Sequence, residues 1–145
     1  MTRSMTRPLL FAAVALIVSA TARPAAQDVA GRWTGRMEPT NLSAEIDLDL
    51  RRAGTAWTGA LVFRAGANGG TLPMDELRVD GDRVRVRTKI EGAEVNLDVA
   101  LADGLMLGSV RVTENGRVLA EGPAGVARVG DANGRTRLTD WLDAH

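Results

Sequence analysis

Val84-Arg85-Val86-Arg87-Thr88-Lys89-Ile90-Glu91-Gly92-Ala93-Glu94-Val95-Asn96-Leu97-Asp98-Val99 is the stretch whose reading decides the fold. Side chains of a strand alternate between two faces, and a two-residue hairpin loop dictates which residues stand opposite each other. With Glu91-Gly92 as that loop, Thr88 faces Val95, Val86 faces Leu97 and Val84 faces Val99 on one side. On the other side Lys89 faces Glu94, Arg87 faces Asn96 and Arg85 faces Asp98. Apolar groups meet apolar groups and bases meet acids, a sorting that a helical period would not produce.

The same test extends outward. Asp103-Gly104, a favoured type I′ pair, places Met106, Gly108, Val110 and Val112 opposite Leu101, Val99, Leu97 and Val95. Gly81-Asp82 sets Val79 against Val84 and Leu77 against Val86, with Arg78 opposite Arg85 as a discord. Ala53-Gly54 would set Leu50, Leu48, Ile46 and Ala44 against Trp57, Gly59, Leu61 and Phe63. Asn115-Gly116 would carry Glu121 onto the inner face near Val110, so the last hairpin is expected to hold a bulge or a longer loop. Strands are read at 31–37, 42–51, 56–64, 76–80, 83–90, 93–101, 105–112, 117–121 and 125–129. The fold class expected is all-β, an antiparallel up-and-down meander of about eight to nine strands closing into a small barrel, because closure removes exposed edges. An open sandwich of the same strands is the alternative. The segment Ala65 to Gly70 reads as a long, flexible loop near one mouth.

The chain of 145 residues is long enough for one core and short for two. Residues 1–22 read as a signal peptide: basic Met1 to Arg7, the apolar run Leu9 to Ala20, and small residues at Ala20-Thr21-Ala22, with cleavage as late as 27 as the variant. That run is short for a membrane span of about 20 residues. Periplasmic or secreted localisation is therefore expected, and 17 arginines to 1 lysine suggest a GC-rich bacterial coding sequence. Residues 28–129 form the barrel domain, and 130–145 a linker and a short C-terminal helix carrying Leu138, Trp141 and Leu142 at i, i+3, i+4.

The formal net charge is zero, yet Arg3, Arg7 and Arg23 precede Asp28, which leaves 15 basic and 18 acidic side chains from Asp28 onward. Such a domain has no field to attract nucleic acid or an anionic membrane. With no cysteine there is no disulfide, thiolate metal site or cysteine nucleophile. The single histidine, His145, ends the chain, and Ser43 and Ser109 fall on outward strand positions without a nucleophile-elbow context. The sequence thus points away from catalysis and implies no cofactor. Glu45, Asp47 and Asp49 form an acidic row that could hold Ca²⁺ or could simply pair with Arg64. The row Arg83, Arg85, Arg87, Lys89 has acids across the hairpin to offset it.

Asp28-Val29-Ala30-Gly31-Arg32-Trp33-Thr34-Gly35, the run Gly54 to Leu61, the Asp103 to Gly108 hairpin and Gly125 to Val129 resemble a small β-barrel domain of secreted bacterial proteins. That domain occurs alone or ahead of α/β-hydrolase or peptidase domains. Gly31-Arg32-Trp33 is also similar to the Gly-x-Trp opening of lipocalin-like (calycin) barrels, in which an arginine of the last strand packs on the tryptophan. The resemblance implies a structural trio of Gly31, Trp33 and Arg128.

On this register the interior is lined by Trp33, Ile46, Leu48, Trp57, Leu61, Phe63, Val86, Leu97, Val99 and Val110. Inward Gly35, Gly59 and Gly108 could leave a cavity, a sharply bent strand or space for two indoles. No inward charge is expected. A small apolar ligand or lipid bound in the interior is the first functional expectation. A filled barrel acting as an interaction or inhibitor module through its 65–72 loop and strand edges is the second.

Overall fold

The computed structural model describes residues 28–145. The signal-peptide reading of 1–22 lies outside the described residues. Nine antiparallel strands form one sheet: β1 (Gly31–Met37), β2 (Ala44–Ala53), β3 (Ala56–Ala65), β4 (Asn68–Leu72), β5 (Glu76–Asp80), β6 (Arg83–Ile90), β7 (Ala93–Ala102), β8 (Leu105–Glu114) and β9 (Arg117–Arg128). One helix, α1 (Ala132–Asp143), follows. The strand order β4-β3-β2-β1-β9-β8-β7-β6-β5 joins first strand to last, and the sheet curls through 246° as a half-barrel. Its two edges are therefore β4 and β5, successive in the chain. The segment between them is tied to β6, where Asp75 N–H donates to the Arg87 carbonyl at 2.8 Å and Thr88 Oγ1 donates to the Pro73 carbonyl. Proline has no N–H to offer a ladder, which suits Pro73 to this crossing.

Loop chemistry sets the pairings of β6, β7 and β8. Glu91 and Asp103 take positive φ beside Gly92 and Gly104, and the hairpins they close pair Thr88 with Val95 and Val99 with Gly108. The β2–β3 hairpin differs from the expected one. Its turn is Gly54-Thr55, so Leu50 faces Gly59, Leu48 faces Leu61, Ile46 faces Phe63, and Arg52 faces Trp57. A slip of two residues keeps every side chain on its own face, so alternation alone could not detect it.

Two further expectations are corrected. Asn68 to Leu72 is no loop but strand β4, laddered to β3 with Gly69 opposite Arg64 and Gly70 opposite Phe63. The segments 117–121 and 125–129 merge into β9, with a bulge against Val112/Thr113. The bulge turns Glu121 outward opposite Arg111, whose Nε lies 2.9 Å from its carboxylate, and brings Gly122 opposite Val110.

Inside the curl, Trp33, Ile46, Leu48, Leu50, Leu61, Val84, Val86, Val95, Leu97, Val99, Met106, Val110 and Val126 pack in one buried cluster. The inward glycines serve close approach. A Cβ on Gly35 would sit 2.0 Å from the Gly125 carbonyl oxygen, and one on Gly108 1.9 Å from that of Asp98. Both are backbone contacts on the neighbouring strand, which marks bent strands rather than empty space.

The helix begins earlier than its apolar triplet suggests. Asp131 caps it by accepting from Gly134 N–H at 2.8 Å, as a short acidic side chain at the N-cap does. Leu138 and Leu142 bury against Leu105 and Ala127 on the outer face of β8 and β9, with Trp141 partly covered beside them. Gly125 makes this seat possible, since a Cβ there would lie 2.6 Å from Leu138 Cδ1.

Candidate functional site

The end of the half-barrel that carries Asp28, the β2–β3 turn and the β5–β6 turn opens into a cleft of about 830 Å³ lined by Asp28, Arg52, Trp57, Val79, Gly81, Asp82 and Leu101. Its size lies in the range of small-molecule sites, roughly 300–1,000 Å³. The register of β2 and β3 builds its wall. Arg52 continues the inward series of Leu48 and Leu50 to the strand's end, opposite Trp57. There its Cζ lies 4.8 Å from the indole centroid. An inward charge thus exists at the mouth, contrary to the expectation that none is available.

A chain of contacts leads from this wall to the barrel's seam between first and last strands. Arg52 Nη2 donates to Asp28 Oδ1 at 3.2 Å, and the same oxygen accepts from Ala30 N–H at 3.0 Å. The Ala30 amide first, and Arg52 after it, hold the Asp28 carboxyl below the usual carboxylate range against some desolvation. Arg128 donates to the Asp28 and Ala30 carbonyls, the latter at 2.9 Å, and its Cζ stands 4.3 Å from the Trp33 ring centroid. Trp33 Nε1–H donates to the Val29 carbonyl at 2.9 Å. Gly31 takes φ +124°, and a Cβ there would meet Arg128 at 2.8 Å. The structural trio Gly31, Trp33 and Arg128 therefore straps residues 28–30 over the mouth, each guanidinium–indole contact contributing about 0.5–2 kcal/mol.

On the opposite wall Val79 and Leu101 are half-buried apolar surfaces, and Leu101 N–H donates to the Asp82 carbonyl at 2.8 Å. The Asp82 carboxylate has no salt-bridge partner among the described residues. The cleft thus offers an indole, two aliphatic side chains, one balanced ion pair and one unengaged carboxylate.

Of the ten expected interior residues, only Trp57 lines this cleft. Trp33, Ile46, Leu48, Leu61, Val86, Leu97, Val99 and Val110 belong to the packed cluster, and Phe63 is half-buried against it. Trp33 and Leu48 also border a smaller cleft of about 420 Å³ with Arg32, Asp47 and Val129. Sequence reasoning missed Asp28, Arg52, Val79, Asp82 and Leu101 as site residues. The signal for Arg52 was present in the period-2 series 48, 50, 52, but the Ala53-Gly54 turn assignment hid its partner.

The outer-face charges pair among themselves. Arg64 reaches Glu45 at 3.3 Å and Asp47 at 2.9 Å, Arg51 reaches Asp49 at 3.0 Å, and Arg83 clasps Asp98 through two contacts at 2.9 Å. Among the described residues no group of three or more His, Cys, Asp or Glu side chains is arranged to hold a metal ion. No helix among them is long and apolar enough to cross a membrane.

The Asp47 carboxyl is held below its ordinary value, chiefly by the Arg64 hydrogen bond and then by that of Thr34, against a desolvation that opposes it. A carboxyl that binds its proton less readily when folded adds stability above its unfolded value, and that stability is lost as pH falls through the depressed folded value. Thermal stability is therefore expected to decline as pH drops below about 4. Asp47→Asn should flatten part of that decline, by no more than about 1 kcal/mol because the pair is half-exposed. An unchanged acid slope in thermal melts of Asp47→Asn would refute the assignment.

Comparison with family models, curated proteins and solved structures returns no match.

Proposed function

We propose that the protein is an exported, non-enzymatic, lipocalin-like binding domain that holds a small amphipathic molecule in the mouth cleft. The observation that carries the reading is the cleft of about 830 Å³ walled by Trp57, Val79 and Leu101, with charged groups at its rim. An apolar body would lie against the indole and the two aliphatic side chains. A polar head bearing hydroxyl or ammonium donors would meet Asp82, while the Arg52–Asp28 pair keeps Trp57 in place. This moves the ligand from the deep interior, where side chains pack on each other, to the rim.

Titration with dodecylammonium, dodecanol and dodecanoate tests it by calorimetry. Saturable binding is expected for the first two, weaker binding for dodecanoate, and a loss of about tenfold or more for Trp57→Ala, since a buried aromatic contact is worth more than the roughly 1.4 kcal/mol of one decade. The half-buried position of Trp57 at a strand end lets Trp57→Ala keep its fold, which far-UV circular dichroism checks. Equal affinity of Trp57→Ala for these probes would overturn the proposal.

A second reading has one observation in its favour. Strand β4 is a sheet edge in which Asn68, Gly69, Gly70 and Thr71 are exposed, a place where a partner's strand could add. On that reading the domain is an interaction module.

A further inference from the structure

A third cleft lies beside α1, between the helix and strands β1 and β2. It measures about 300 Å³ and is lined by Thr34, Gly35, Arg36, Glu45, Arg135, Leu138, Thr139 and Leu142. Arg135, Leu138, Thr139 and Leu142 follow i, i+3, i+4, i+7 and so share one face of the helix. Arg36 stands opposite Gly125 on the neighbouring strand, where the absent side chain lets helix and sheet approach.

The guanidinium of Arg36 is poorly engaged. Its Nη2 is buried and has no hydrogen-bond partner. The nearest carboxylates are Glu38, 3.5 Å from Nε, and Asp143, 3.9 Å from Nη2, both beyond good hydrogen-bond length. A buried donor without an acceptor is costly, and a planar guanidinium fork matches two oxygens of one anion. Arg135, the second cation of the cleft, pairs with no carboxylate among the described residues. Glu45, the acid in the lining, is already bonded by Arg64 at 3.3 Å, which moderates its repulsion of an incoming anion. The hydroxyls of Thr34 and Thr139 donate to Asp47 and to the Arg135 carbonyl, so the side-chain donors left for a ligand are the guanidinium of Arg135 and that of Arg36, which Glu38 and Asp143 hold only loosely.

We infer that Arg36 and Arg135 form a binding site for a small oxyanion of the phosphate or carboxylate class, seated between α1 and β1. This site is independent of the mouth cleft.

The test titrates inorganic phosphate and, separately, acetate into the protein at constant ionic strength set with chloride, followed by amide chemical shifts. Saturable shifts at Gly35, Arg36, Arg135 and Thr139 are expected with at least one of the two anions. Arg36→Gln should weaken binding by about tenfold or more, as loss of a charged hydrogen bond does. The exposed helix variant Arg135→Gln, which leaves the sheet untouched, should weaken it by about threefold or more. The mouth variant Arg52→Gln should leave it unchanged. Absence of saturable shifts with both anions overturns the inference, as does equal binding by Arg135→Gln or an equal loss in Arg52→Gln.

Discussion

Trp33→Ala is expected to lose about 3–5 kcal/mol of stability, the range for truncating a buried tryptophan. The indole is fully buried, touches the core on one side and carries Arg128 on the other, and its Nε1–H holds the Val29 carbonyl. Truncation therefore opens a cavity, leaves Arg128 without its π face and frees residues 28–30 from the seam between β1 and β9. For a domain whose total stability is about 5–15 kcal/mol that is a large fraction. Urea denaturation should show the midpoint falling accordingly, with Arg128→Ala reproducing only the smaller part that belongs to the seam. A Trp33→Ala midpoint within about 0.5 kcal/mol of the parent, the ordinary range of a surface substitution, would show that the tryptophan does not anchor the core.

Gly108→Ala is the second large effect. A single methyl group would stand 1.9 Å from the Asp98 carbonyl oxygen and 2.8 Å from Val99 Cα, so β7 and β8 would have to part. Backbone gives way less easily than the end of a side chain, and a cost of about 3 kcal/mol is expected, at the upper end for overpacking. Ser109→Ala, one residue away on the exposed face, supplies the control and should change stability by less than about 0.5 kcal/mol. Equal melting of the two variants would mean that Gly108 borders space, and a deep-interior ligand would then regain ground against the rim.

These two predictions rest on features of unequal legibility. The pairing of Thr88 with Val95 and of Val99 with Gly108 was readable because Glu91-Gly92 and Asp103-Gly104 each allow one turn, and a one-residue slip would have set valine against charge. The pairing of Arg52 with Trp57 was not, because a two-residue slip conserves faces and only the turn geometry at Gly54-Thr55 distinguishes it. The mouth cleft was lost with that slip. Strand β4 was hidden by composition, since Asn68-Gly69-Gly70 has the residues of a loop and takes strand form only because β3 offers it a ladder. The bulge at Val112/Thr113 was signalled by its consequence, the misplaced Glu121, without its position being fixed by any local residue. The Asp131 cap was legible in principle, as an aspartate three residues before Gly134, but the glycine and asparagine around it read as linker. The loosely held Arg36 could not be read at all, because its state depends on where the helix brings Arg135 and Asp143.

The central claim, that the mouth cleft holds a small amphipathic molecule, is tested most directly by native mass spectrometry of the protein purified without detergent from cells that export it. The account predicts an excess mass of a few hundred daltons that disappears on denaturation and is absent from Trp57→Ala purified in the same way. A clean unliganded mass for both proteins, or an adduct that Trp57→Ala retains, would contradict it.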